Sequence, residues 1–250
     1  MNEREYAESI LSCKTTTKKP SEALSIIARY LYTNGYKPSE ISQKLEDYII
    51  RIDENASIPK WQKTIDKYVS NASKYSLTEI ESIPVTQSEL EVIASISGAQ
   101  LKRLAFTLLC VAKFYNENNA FNNNWVNKPD KEIFRLANIQ TTSMKQSLML
   151  NDLYSLGLIG YSNLVDNINV NVKFVDNDSE PILYISDFRN LGYQYLRYIG
   201  QGTFTKCKSC GLIMRKSSNR LKYCADCAAD IDRMKSVERW RKAANKKQSA

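Results

Sequence analysis

Two cysteine pairs dominate the chemistry available to this chain. Cys207-Lys-Ser-Cys210 is followed, after a spacer that opens on Gly211, by Cys224-Ala-Asp-Cys227. Each CxxC turn aims two sulfurs at one point, and a tetrahedral structural zinc takes four ligands. The spacing therefore predicts a Zn²⁺ site built from Cys207, Cys210, Cys224 and Cys227. Four free thiols in a reduced loop are the alternative. The chain has no histidine. That removes His-based acid–base chemistry, Ser-His-Asp and Cys-His nucleophile pairs, and His-ligated metals. An enzyme would need a carboxylate–metal or Ser–Lys site, and no such constellation is present, so no catalytic residue, small-molecule substrate or organic cofactor is assigned. Asp176, Asp178 and Glu180 lack the glycine and distal glutamate of a calcium loop and read as a turn. Pro129, Asp130 and Glu132 lack the second carboxylate strand of an acidic nuclease.

Charge sharpens this reading. The 250 residues hold 35 Lys+Arg and 27 Asp+Glu, a formal +8. From Gly200 to Ala250 there are thirteen basic and four acidic residues, a balance of +9, so the rest of the chain is nearly neutral. A concentrated positive module is the electrostatic footprint of a nucleic-acid contact; a solubilising tail is the plainer use of the same charge. Arg215, Lys216, Arg220 and Lys222 are expected on a small hairpin between Leu212 and Tyr223, with Ser217-Ser218-Asn219 at its tip. Arg233, Arg239, Arg241 and Lys242, with Lys246 and Lys247 beyond, are expected on a helix over 228–247. Trp240 is expected either to stack on a base or, more simply, to pack that helix onto the hairpin.

Knuckle, hairpin, then CxxC at a helix N-terminus is similar to treble-clef zinc modules. Members of that class that act as HNH nucleases use histidine as base and ligand, a route closed here. The resemblance therefore implies a structural and binding role.

The rest of the chain must position this module. Residues 1–85 predict a helical bundle. Ala23, Leu24, Ile26, Ile27, Tyr30 and Leu31 form one apolar stripe, which Asn34-Gly35 stops. Pro38 opens a second helix with Ile41, Leu45, Tyr48, Ile49 and Ile52. Pro59 opens a third with Trp61, Ile65, Tyr68 and Val69, and Pro84 breaks the pattern. The segment Gly35-Tyr-Lys-Pro-Ser-Glu-Ile-Ser faintly resembles the start of a helix-turn-helix.

Residues 86–200 predict a second domain. Thr86-Gln-Ser-Glu89 is a capping box. A helix over 99–116 supplies the core, with Cys110 as a buried apolar residue. An Asn-rich loop, a short helix over 130–138 and a helix capped by Thr141 or Thr142 and ending at Gly157 follow. Ile168, Val170, Val172 and Phe174 alternate with polar residues, which predicts a strand. Asp176–Pro181 turns it, Ile182–Ser186 returns, 189–199 close with a helix, and Gly200 and Gly202 hinge to the basic module over 203–250.

This order, with Leu150-Asn-Asp-Leu-Tyr-Ser-Leu-Gly-Leu-Ile159, resembles a winged helix-turn-helix domain. The fold class is thus mainly α with a small β-hairpin wing. In that family the third helix usually enters the DNA major groove. Here Gln146 and Asn151 could serve at base edges, Thr141, Thr142 and Ser143 could touch phosphate, and Lys145 is the one basic residue of the helix, beside the acid Asp152. The departures are Met144 and Leu148 on the same outer face, and a wing over 166–181 with Lys173 against four acids. Protein contact through this helix stands beside direct readout.

The first residues are acidic and polar, unlike a secretory signal, and the longest apolar stretch is too short for a membrane span. A cytoplasmic protein with reduced cysteines is expected, in a bacterial host cell. The Lys-, Asn-, Ile- and Tyr-rich composition resembles small proteins of bacteriophages or mobile elements of low-GC bacteria. Two functions follow. One is a nucleic-acid-binding accessory or regulatory protein, with DNA as the expected partner and RNA as the alternative. The other is an interaction protein, such as a phage-encoded inhibitor of a host or defence complex.

Overall fold

The structure is a computed structural model. It describes residues 2–12, 20–53, 55–162 and 169–248, and the side chains of Val237, Glu238 and 241–248 are outside that description. The chain divides into two compact units, Met1–Glu81 and Ser82–Ala250. It is mainly helical, with three small antiparallel sheets among the described residues.

The first unit holds α1 (Glu3–Ser12), α2 (Pro20–Thr33), α3 (Pro38–Ile52) and α4 (Ile58–Asn71). The apolar stripes meet in one core of Leu24, Ile27, Ile41, Leu45, Tyr48, Ile49 and Ile65, with Ile10 from α1. Gly35 turns the chain between α2 and α3 with φ +84°, a conformation that costs glycine little. α1 adds a helix to the three expected. Its Glu3 carboxylate takes two hydrogen bonds from the Arg29 guanidinium, at 2.7 and 2.8 Å, and one from the Thr78 amide at 2.8 Å.

The second unit is built round α6 (Ala99–Asn118), buried without a break from Leu104 to Lys113. Before it lie β1 (Ile83–Thr86) and α5 (Gln87–Ser95); after it come β2 (Trp125–Val126), α7 (Asp130–Leu136) and α8 (Ser143–Ser155). Next are β3 (Ile159–Tyr161), β4 (Val170–Val172), β5 (Pro181–Ile185) and α9 (Leu191–Tyr198). Thr86 and Glu89 do form the capping box of α5. Ile133, Phe134, Leu150, Leu153, Ile159, Val170 and Val172 complete the core.

Strand pairing differs from the expected hairpin of 168–174 with 182–186. β4 is instead the centre of a sheet ordered β2-β4-β3, and β5 pairs antiparallel with β1. The reason is local. All three residues of β4 are buried, so the strand needs neighbours on both edges. The Asn-rich loop brings one of them: Asn116 Oδ1 accepts from Asn122 Nδ2 and the Asn124 amide, and Asn171 Nδ2 donates to Asn123 O. Asp176 then turns the chain away by accepting from the amides of Asp178 and Ser179. Pro84 sits within β1 rather than ending a pattern, a position open to proline on an edge strand. Of the expected wing, Asp166 and Ile168 lie outside the described residues.

The end of the chain holds β6 (Phe204–Lys206), β7 (Ile213–Arg215) and α10 (Ala225–Gln248). β6 and β7 pair antiparallel from Phe204↔Arg215 to Lys206↔Ile213. The hairpin therefore encloses the first CxxC, and its tip is not at Ser217–Asn219.

Candidate metal centre

Strand geometry places the first cysteine pair. The Cys207 amide donates to Leu212 O and the Gly211 amide to Cys207 O, both at 2.9 Å, closing a knuckle across the end of β6 and β7. Gly211 has φ +72°, so glycine is required at this turn. Helix geometry places the second pair. Cys224 immediately precedes α10, and its Sγ accepts from the Cys227 amide at 3.4 Å, as a capping side chain does. The Cys224 amide in turn donates to Cys207 Sγ at 3.3 Å.

The four sulfurs lie within 4.8 Å of one another, and Cys210 Sγ is 3.8 Å from Cys224 Sγ. A tetrahedron with metal–sulfur bonds of about 2.3 Å has sulfur–sulfur edges of about 3.8 Å. A disulfide needs about 2.05 Å. The set can therefore hold a metal ion, and four tetrahedral sulfurs suit Zn²⁺ or iron. Burial pushes the Cys207 thiol up, but the amides of Cys210, Cys224 and Ser209 aim at its sulfur and hold it at about 6. Burial, followed by its thiol neighbours, pushes Cys227 up to about 12. Metal ligation requires thiolates, so binding of a divalent ion here would release protons from the cysteines.

The hydrophobic cluster around these sulfurs is small. It holds Met214, Leu212, Leu221 and Tyr223 besides the cysteines, and among the described residues Cys227 is its only member from α10. Beyond Ile231 the described residues of α10 are exposed. Trp240 is 79% exposed, so it does not pack the helix onto the hairpin.

Of the basic residues singled out in the sequence, Arg215 ends β7 and Lys216 follows it. Arg220 and Lys222 fall in the connection to α10, off the hairpin. All four are exposed. Arg233 is paired with Asp230 at 3.2 Å, and Arg239 is exposed on α10. Arg241 and Lys242 lie on α10 with side chains outside the description. Lys145 and Gln146 are on α8, Lys145 exposed and Gln146 half-buried. Met144 and Leu148 on the same helix are 76% and 55% exposed.

Sequence reasoning did not find the residues that seat this centre on the rest of the unit. Arg189 Nη2 donates to Cys210 O at 2.9 Å, and Asn190 Nδ2 donates to Ile213 O at 2.7 Å. Asn190 Oδ1 accepts from Asn138 Nδ2 at 3.0 Å, and the Tyr193 ring packs on Phe204 with centroids 5.7 Å apart. No motif marks such residues, since their partners are backbone carbonyls distant in sequence.

Comparison of the chain with family models, curated proteins and solved structures found no match. No helix among the described residues is long and apolar enough to cross a membrane.

Proposed function

We propose that the chain is a nucleic-acid-binding accessory or regulatory protein, acting on DNA, in which a zinc-stapled module holds the phosphate backbone. One observation carries this reading. Arg215, Lys216, Arg220 and Lys222 stand exposed beside the cysteine cluster, and among the described residues none is in a salt bridge. Cations left without acidic partners around a rigid knuckle favour a polyanion. α10 extends the surface: 24 residues reach about 36 Å at 1.5 Å per residue, and its basic residues begin at Arg233. Four thiolates with Zn²⁺ carry a local −2, which leaves the module strongly positive.

The winged-helix reading of the second unit draws support from element order. α6, β2, α7, α8, β3 and β4 follow one another, and the sheet runs β2-β4-β3. In that reading α8 is the helix offered to the groove, through Lys145 and Gln146. The Lys-, Asn-, Ile- and Tyr-rich composition, with this combination of modules, supports reading the chain as a phage or mobile-element protein.

The test is binding of the full chain to labelled duplex DNA, single-stranded DNA and RNA over a salt series. Duplex binding that falls steeply with salt is the expected result, with one zinc per chain by native mass spectrometry. Absence of binding to any nucleic acid overturns the proposal.

The second reading is a protein-interaction role, and the bare apolar pair Met144 and Leu148 favours it. A groove reader normally presents polar groups there. Capture of one stoichiometric protein from nuclease-treated host lysate, lost in a Met144→Asp/Leu148→Asp variant, selects this reading over the first.

A further inference from the structure

We propose that Arg189 is a positioning and charge-balancing residue of the metal centre, supplied by the body of the second unit rather than by the cysteine module itself. The inference rests on metal occupancy, and does not require nucleic-acid binding.

The geometry is specific. Arg189 stands between a carboxylate and the backbone carbonyl of a ligand residue. On one side its guanidinium makes a two-point contact with Asp187, Nε to Oδ1 at 2.9 Å and Nη2 to Oδ2 at 2.7 Å. On the other, Nη2 donates to the carbonyl of Cys210, a ligand residue. Asp187 fixes the fork: its Oδ1 also accepts from the Arg189 amide at 3.0 Å, and its carbonyl accepts from Gln194 Nε2. The guanidinium is therefore oriented before any metal arrives.

The chemistry follows from charge. A divalent ion on four thiolates leaves a net −2. Groups that hydrogen-bond to the ligand residues set ligand orientation and metal affinity, and losing one typically costs ten- to a hundredfold in affinity. The guanidinium on the knuckle carbonyl, its charge partly offset by Asp187, lowers the cost of gathering four thiolates. The neighbouring Asn190 holds Ile213 O on β7. Two consecutive side chains thus grip the carbonyls of Cys210 and Ile213, on either side of Gly211-Leu212. This also explains why so small an apolar cluster can keep the module folded: part of its framework is borrowed from the residues before α9.

Charge and hydrogen bonding are separable by substitution. Arg189→Gln keeps an N–H donor but removes the charge; Arg189→Lys keeps the charge without the planar fork. Metal affinity is measured on the full chain by competition with a chromophoric chelator. The thiolate-to-metal charge-transfer band of the Co²⁺-loaded protein reports the sulfur environment. Circular dichroism and thermal melting confirm that each variant is folded.

The expected result is about a tenfold loss of metal affinity in R189Q, substantial recovery in R189K, and a charge-transfer band moved in R189Q and near the native position in R189K. Native affinity in folded R189Q overturns the inference. So does R189K as weak as R189Q, since that would make the contact purely geometric. If R189Q fails to fold, Arg189→Met, of similar length, takes its place against the same R189K comparison. A native chain that takes up no metal is a different result, and it removes the metal reading itself.

Discussion

The Lys113 ammonium sits 2.8 Å from Glu89 Oε1 with both side chains out of solvent, Glu89 at 0% and Lys113 at 4% exposure. Every polar contact of this pair is made. Lys113 Nζ also donates to Glu89 Oε2 and to Asp176 O, both at 3.1 Å. Glu89 further accepts from the amides of Thr86 at 2.8 Å and Asp176 at 2.9 Å. The capping box of α5 is thereby tied to the core helix and to the turn after β4. Lys113→Ala leaves a buried carboxylate without its cation and should cost about 3–5 kcal/mol. Lys113→Met with Glu89→Gln, which keeps an acceptor for the Thr86 and Asp176 amides, should cost less than Lys113→Ala alone. Denaturant unfolding of the three proteins tests the ordering, and equal losses would mean the pair is not coupled.

Gly192 has no room for a side chain. A Cβ built there would lie 1.9 Å from Ala137 O, backbone that cannot swing aside. Gly192→Ala must push α9 away from the end of α7. A melting temperature lowered by the equivalent of at least about 1–3 kcal/mol is expected. An unchanged melting point would show that α9 does not pack as described.

Asp176 is held well below the usual carboxylate range by the hydroxyls of Ser179 and Ser88 and by the amides of Asp178 and Ser179. A depressed carboxyl contributes stability that is present above its unfolded value of about 3.9 and lost as pH falls toward the folded value. Asp176→Asn should therefore be less stable than the native chain at pH 7. The gap should narrow steadily as pH is lowered below about 4. A gap independent of pH would assign the loss to packing rather than charge.

If the exposed cations hold phosphate, replacing Arg215, Lys216, Arg220 and Lys222 together by alanine should weaken duplex binding at low salt. It should also flatten the log–log salt dependence by about 3 to 4. Metal content should be unchanged, since none of the four is a ligand. An unaltered slope would place the phosphate contacts elsewhere.

The four-cysteine cluster was legible because CxxC spacing is a local code: two turns and four sulfurs are fixed by residues within the same segment. The helices were legible for the same reason, through apolar stripes such as Leu24, Ile27 and Leu31. The pairing of β1 with β5 was not, because Pro84 argues against a strand in isolation and its partner Tyr184 lies a hundred residues on. The hairpin was displaced for a related reason. Basic residues around Ser217–Asn219 read as a tip, but the ladder is set by Phe204 and Thr205, whose short run carries little periodic signal. Exposure of Trp240 was also hidden, since an aromatic on a helix is ordinarily a packing residue and only the small size of the cysteine cluster leaves it nothing to pack on.

The β1–β5 ladder also carries a consequence for how the chain is made. Ile83 pairs with Ile185 and Thr86 with Pro181, so the second unit is a long loop closed at its base. On a ribosome, β1 emerges early and has to wait for about a hundred residues before its partner exists. The helices of the first unit pack on near neighbours in sequence and meet no such delay. Synthesis should therefore pass through a state with the first unit folded and the β1 edge still bare, and the closing strand should be the step that commits the rest.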